Sequence, residues 1–302
     1  MNVIFMGTSS FALPTLKTLV EKGHNVIAVY TQPPRPAGRG KKIKISPIGQ
    51  FARENKIDVF HPENFSSNND INAFQSLNAD LVFVIAYGLL LPQELLKAAK
   101  IGFFNVHASI LPRWRGAAPI QRALLSGDIE TGVCIIKLEA SLDTGPIVFK
   151  RRLKIKKDDN TGSLHERLSY VGAELALKLC KNFNSLQYIR QETQGVTYAK
   201  KIQKIETWIN WDVSASSVDR QIRAFAPVPG AWFQLEGERI KILESRVGDG
   251  IGVPGQIIDS HLQVACKIGS IFPTILQRPG RSPLSKEEFL RGYKVSPGMS
   301  LS

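Results

Sequence analysis

The amino-terminal half of the chain alternates near-continuous apolar runs with amphipathic stretches, and this rhythm restricts the fold more than any other feature. Residues 2–6, 25–31, 57–60, 81–86, 102–107 and 132–138 read as strands; 11–22, 47–56, 70–78, 92–99, 117–126 and 162–182 read as helices. Strands that are apolar on both faces must be covered on both, and crossover helices between parallel strands do this. The expectation is an α/β domain with a Rossmann-like, mostly parallel sheet, whose ligands bind beyond the carboxyl ends of the strands. The first strand-to-helix turn, Met6-Gly7-Thr8-Ser9-Ser10-Phe11, lacks the G-x-G-x-x-G spacing that brings a pyrophosphate to a helix amino terminus. NAD is therefore not expected.

The pattern changes after Phe183. Residues 185–206 are polar and basic, with Lys200, Lys201 and Lys204, and read as a linker. A short helix at 216–225 and the turn Pro227-Val228-Pro229-Gly230 precede short strands at 231–235, 240–245, 255–260, 262–267 and 274–278. Strands so short, punctuated by Gly and Pro, suggest a small OB-fold-like β-barrel domain. The expected organisation is 1–184, a basic linker at 185–206, and a β-barrel at 207–302.

No apolar run approaches the ~20 residues of a membrane span, so no membrane association is expected. The amino terminus enters a strand at Asn2, leaving no room for a targeting segment, and Cys134, Cys180 and Cys266 form neither metal-ligand spacing nor a disulfide framework. A cytoplasmic, reduced protein without structural metal is expected. The formal net charge is +13, and residues 150–206 carry 13 basic against 6 acidic side chains. Such a belt is a footprint for a polyanion, nucleic acid before membrane surface, unless it reflects a general lysine bias.

Four segments carry candidate chemistry. Asn105 and His107 end a strand two residues apart and so point to the same face. Both can donate to a developing oxyanion, although such a pair can equally be a polar strand end facing solvent. Asp143, in Ser141-Leu142-Asp143-Thr144-Gly145-Pro146, follows the next strand and can hold a histidine in one tautomer; the same residues also make an ordinary turn. Residues 31–44 contain Arg35, Arg39, Lys41, Lys42 and Lys44 with no acid. Gly and Pro are expected to keep this loop out of regular structure, free to reach a phosphate backbone or simply to be solvated. Val84-Ile85-Ala86-Tyr87-Gly88-Leu89-Leu90-Leu91-Pro92 can offer backbone groups to a flat heterocycle, or serve as core strand.

Taken in this order, these segments resemble the methionyl-tRNA formyltransferases, within the folate-dependent formyltransferase family. The resemblance covers nearly the whole chain and includes Asn105-Val106-His107-Ala108-Ser109-Ile110-Leu111-Pro112, Leu142-Asp143-Thr144-Gly145, Arg113 to Arg122, Thr197-Tyr198-Ala199 and Gly292 to Gly298. It implies catalytic roles for Asn105, His107 and Asp143. It implies a folate site at Ser109, Ile110, Leu111 and Pro112 with Tyr87, Gly88, Leu89 and Leu91, and tRNA contacts at Arg35, Arg39, Lys41 and Lys42. Ile110 stands where Leu is usual, Ser141 where Gly is expected and Pro34 where Asp is common; none of these touches a chemical group.

The resemblance further implies 10-formyltetrahydrofolate as formyl donor and initiator methionyl-tRNA as acceptor, with the 207–302 barrel binding tRNA. Asn105 and a protonated His107 would stabilise the oxyanion, and Asp143 would keep the imidazole charged. A formyltransferase for a small amine would need no basic belt. A non-enzymatic nucleic-acid-binding protein would leave Asn105, His107 and Asp143 without a purpose, and a nicotinamide oxidoreductase conflicts with the first turn.

Overall fold

In the computed structural model, which describes residues 1–37 and 42–301, the apolar runs form the expected central sheet. β1 (Asn2–Gly7) leads into α1 (Leu13–Glu21) and β2 (Asn25–Tyr30), followed by β3 (Arg35–Ala37) and β4 (Lys42–Lys44). Then come α2 (Pro47–Glu54), β5 (Val59–Phe60), α3 (Asn68–Ser76), β6 (Leu81–Ile85), β7 (Gly102–His107) and β8 (Arg115–Gly116). They are followed by α4 (Pro119–Ser126), β9 (Glu130–Lys137), β10 (Ile147–Lys154), α5 (Thr161–Lys181) and β11 (Tyr198–Ala199). α6 (Ala215–Phe225), β12 (Ala231–Leu235), β13 (Glu238–Gly248), β14 (Val264–Ala265), β15 (Ser270–Gln277), β16 (Leu284–Ser285) and α7 (Lys286–Gly292) complete the order. The chain divides into two compact units: residues 1–116, 130–154 and 165–198, and residues 117–129, 155–164 and 199–302.

The first unit holds a seven-stranded sheet in the order β10-β9-β7-β6-β1-β2-β5. β5, β2, β1, β6 and β7 run parallel, while β9 is antiparallel to β7 and β10 to β9. The chain builds outward from β1 to β2 and β5, then returns to place β6 on the other side of β1. This reversal leaves a crevice beyond the carboxyl ends of β1 and β6, where open α/β sheets bind ligands. The sheet is apolar because it is covered: Phe5, Phe83 and Phe104 are fully buried. Tyr30 packs tilted against Phe74, which stacks on Phe103, with ring centroids 5.2 and 5.7 Å apart. Each such ring contributes roughly 1.5–3 kcal/mol by burial. α2 opens on Ser46, whose hydroxyl accepts the Gly49 N–H at 2.9 Å, with Pro47 in the first turn.

Several expectations are corrected. Residues 31–44 contain a two-stranded hairpin, β3 against β4 with Arg35 opposite Lys44, rather than an irregular loop. The helix expected at 92–99 is one 3-10 turn at Leu95–Lys97. It stops because Lys100 and Ile101 donate to the Ala79 and Asp80 carbonyls at 3.3 and 2.8 Å, drawing the chain back to the start of β6. β10 was not expected as a strand: its Lys150-Arg151-Arg152 run suits a sheet edge, which is where it lies. Residues 185–198, expected as linker, belong to the first unit, with Ile189 bridged to Ile147.

The second unit carries the expected antiparallel β domain, in the order β12-β13-β15-β14 with β16 also on β15. β12 and β13 are joined by Glu236 and Gly237 at φ 51° and 80°, the positive pair of a tight two-residue hairpin. The strand expected at 255–260 is reduced to single bridges at Gln256 and Ile257.

Candidate active site

β7 presents Asn105 and His107 from one face at its carboxyl end, as the period of two requires. β9 lies against β7 with Asn105 opposite Ile136 and His107 opposite Cys134. The loop leaving β9 returns Asp143 to the same sheet edge. Two donors and an imidazole nitrogen surround its carboxylate. Asn105 Nδ2 donates to Oδ1 at 3.1 Å, and the Gly116 N–H donates to Oδ2 at 2.9 Å. His107 Nδ1 stands 3.5 Å from Oδ2. His107 and Asp143 are 5% and 6% exposed, so this contact is held away from bulk water.

The other ring nitrogen, His107 Nε2, lies 2.8 Å from the Trp114 carbonyl. A carbonyl only accepts, so the Nε2 N–H donates to it, and Nδ1 is left facing the Asp143 carboxylate. The 109–116 loop that supplies these backbone groups is itself tied down. Ser109 Oγ, fully buried, donates to the Arg113 carbonyl at 2.6 Å, and the Trp114 N–H donates to Thr197 Oγ1 at 2.9 Å. The Arg113 guanidinium lies 4.3 Å over the Trp114 ring, and Trp114 adopts φ 64°. Cys134 beside the site is driven up to about 11 by burial and remains a thiol.

The structure therefore brings Asn105, His107 and Asp143 together. Ser109 to Pro112 follow directly on β7, with Leu111 buried against Cys134, Ile136 and Ile147. Tyr87 to Leu91 follow β6, the neighbour of β7. Tyr87 offers its backbone rather than its ring: the side chain lies in the core, and its carbonyl accepts from Thr8 Oγ1 at 2.9 Å and Gln32 Nε2 at 3.2 Å. Gly88, at φ 87°, passes so close to Gln32 that a Cβ would lie 2.4 Å from its amide nitrogen. Leu89 and Leu91 pack partly buried against the same core. Arg35 is exposed on β3, and Lys42 belongs to β4. Arg39 and Lys41 lie outside the described residues. Nothing in the sequence singles out Trp114 O, Gly116 N–H or Gln191, because a backbone group carries no residue-type signal and Gln191 sits in a stretch that reads as linker. Among the described residues there is no cluster of His, Cys, Asp or Glu fit for a metal, and no helix long and apolar enough to cross a membrane.

The second unit has a separate basic cleft of about 860 Å3, lined by Lys201, Lys204, Arg239, Lys241 and Arg278 among others. Burial and the neighbouring Arg239 charge lower the Lys241 pKa. Arg239 stacks 4.1 Å over the Trp232 ring, which in turn stacks on Trp208 at 5.9 Å.

An Asn, a His and an Asp thus converge at the carboxyl edge of the sheet. The chain belongs to the formyl transferase family: "Formyl transferase" matches residues 1–179, and "Formyl transferase, C-terminal domain" matches residues 201–294. It is similar over its full length to enzymes named methionyl-tRNA formyltransferase. It is 46% identical to that of Ruegeria pomeroyi, covering 100% of both chains, and 46% identical to that of Brucella anthropi, covering 98% of this chain and 99% of the relative. Among solved structures, the sugar 3N-formyl transferase WlaRD aligns with TM-score 0.67 at 18% identity over 93% of this chain and 99% of its own. HypX from Aquifex aeolicus, in complex with tetrahydrofolic acid, aligns with TM-score 0.67 at 17% identity over 98% of this chain; the chain spans about half of HypX, 48%. These two likenesses speak to the fold.

Proposed function

We propose that this enzyme transfers the formyl group of 10-formyltetrahydrofolate to the α-amino group of initiator methionyl-tRNA, giving N-formylmethionyl-tRNA for translation initiation. The observation that carries the chemistry is the convergence of Asn105, His107 and Asp143 at the end of β7. The folate co-substrate is held by Ser109 to Pro112 and by the loop from Tyr87 to Leu91, which flank that point on adjacent strands.

The neutral amine attacks the formyl carbon, and the carbonyl oxygen takes up the charge. Asn105 spends one N–H on Asp143 and keeps its second for that oxyanion. His107 Nε2, which donates here to the Trp114 carbonyl, reaches the oxyanion by exchanging that partner. One such donor contributes about 3 kcal/mol to the transition state. Asp143, or a water bound to it, takes the proton from the attacking amine. The bond from the formyl carbon to N10 of the folate then breaks, and N10 takes up a proton as tetrahydrofolate leaves.

The acceptor reading is supported by charge and by full-length similarity to methionyl-tRNA formyltransferases. A small amine gives no reason for the basic hairpin at Arg35 to Lys44 or for the cleft of Lys201, Lys204, Arg239 and Lys241. On this reading the first unit is the transferase domain and the 207–302 region of the second a tRNA-binding domain, in a monomer working in the bacterial cytoplasm. The test is incubation with 10-formyltetrahydrofolate and either charged initiator tRNA or a small amino sugar nucleotide. Formylation of the charged tRNA is expected; formylation of the small amine alone overturns the acceptor reading.

A further inference from the structure

One side chain from the polar stretch after α5 reaches the loop that carries Asp143. Gln191 Nε2 donates two hydrogen bonds, to the Asp143 carbonyl and to the Gly145 carbonyl, both at 2.8 Å. Its Oε1 accepts two from Arg115, Nε at 3.0 Å and Nη2 at 2.7 Å. Both N–H groups of the amide and both acceptor positions are thereby used, so the amide has one orientation only: carbonyls require its nitrogen, and a guanidinium requires its oxygen. The loop it holds is one that needs holding. Asp143 adopts φ 54°, a region few non-glycine residues occupy without support, and Gly145 runs so close to β9 that a Cβ would overlap the Lys137 carbonyl.

We infer that Gln191 is a positioning residue for Asp143. It fixes the loop backbone at the carbonyls of Asp143 and Gly145, and so keeps the Asp143 carboxylate on Asn105, on the Gly116 N–H and beside His107. Arg115, in turn, ties this clamp to the strand that supplies Gly116. The inference rests on the proposed role of Asp143 in formyl transfer.

The test is steady-state formylation of methionyl-tRNA by Gln191→Glu, Gln191→Met, Asp143→Asn and the double variant Gln191→Glu/Asp143→Asn. Glu keeps the size of Gln and an acceptor for Arg115 but has no N–H for the two carbonyls. We expect both Gln191 variants to lose about 10- to 100-fold in kcat. KM for the folate donor is expected to stay within about twofold. The double variant should be no slower than Asp143→Asn alone, because the two residues act as one unit. Should Met disturb folding, shown by circular dichroism, Glu decides. Full kcat in Gln191→Glu alongside an impaired Asp143→Asn would overturn the clamp while sparing Asp143. A multiplicative loss in the double variant would give Gln191 a separate role and also overturn it. Normal turnover in Asp143→Asn would remove the role of Asp143 and the clamp with it.

Discussion

The Asn105 amide donates to Asp143 Oδ1 across 3.1 Å, joining residues 38 apart in sequence. The bond orients both partners. Asn105 cannot turn its oxygen toward the carboxylate, so its remaining N–H has a fixed direction, and the carboxylate keeps Oδ2 for Gly116 and His107. Asn105→Ala and His107→Ala are expected to lower the single-turnover rate of formyl transfer by roughly 10²- to 10³-fold each. Folate affinity, measured by equilibrium binding, should barely change, because neither residue belongs to the proposed folate loops. A normal rate in either variant would remove the oxyanion role assigned to that residue.

The basic hairpin calls for a different measurement. If Arg35, Arg39, Lys41 and Lys42 neutralise backbone phosphates, each contributes counterion release and little chemistry. Arg39→Ala should then raise KM for methionyl-tRNA, leave KM for the folate donor unchanged, and reduce the slope of log affinity against log salt by about one. An unchanged dependence on tRNA concentration and salt would show that the loop is only solvated.

Gly145 tests how tightly the Asp143 loop is fitted. A Cβ there would overlap the Lys137 carbonyl, a backbone atom of β9 that cannot swing aside as a side chain would. Gly145→Ala is expected to cost about 1–3 kcal/mol as overpacking. It should also lower kcat, because relief of the clash moves the loop and with it the carboxylate. Thermal unfolding and turnover measured on the same preparation should fall together. A stable variant with unchanged kcat would mean that the loop tolerates the shift without displacing Asp143.

Much of the catalytic edge could be read from the sequence because it obeys local rules. Apolar runs report buried strands, and the period of two puts Asn105 and His107 on one face before any fold is known. What escaped notice depends on long-range geometry. The Gly116 N–H and the Trp114 carbonyl have no side-chain signature. Gln191 reaches Asp143 across 48 residues from a segment with no periodicity. The strand direction of β9 was also hidden, since an apolar run covered on both faces reads the same whether it runs parallel or antiparallel. The pairing of β3 with β4 was missed for the opposite reason: Gly and Pro suggested an irregular loop, yet Arg35–Ala37 and Lys42–Lys44 pair antiparallel.

In the second unit, Arg122 of α4 and Glu206 make a paired contact, with Arg122 Nη2 on Glu206 Oε1 at 3.0 Å and Nη1 on Oε2. The side chains are 19% and 29% exposed. Arg122 also donates from Nε and Nη2 to the Lys200 carbonyl at 3.1 and 3.0 Å, and Glu206 accepts the Gln203 N–H at 2.8 Å. The hydrogen bonds from Arg122, more than any other influence, hold the Glu206 carboxyl below its usual range. A depressed carboxylate stabilises the fold above the unfolded pKa of ~4.3, and that stabilisation is lost as pH falls through the lower folded value. Glu206→Gln keeps the shape but has a single acceptor oxygen, so it removes the charge together with one of the Arg122 hydrogen bonds. At pH 7 the variant should be less stable by about 1 kcal/mol, a value already reduced for partial exposure. Denaturant midpoints of the two proteins should converge as the pH is lowered below ~4. Arg122→Ala should be the more damaging change at pH 7, because it also releases the Lys200 carbonyl, and part of its deficit should persist in acid. A gap between Glu206→Gln and the parent that stays constant across this range would mean that the ion pair contributes no charge-dependent stability.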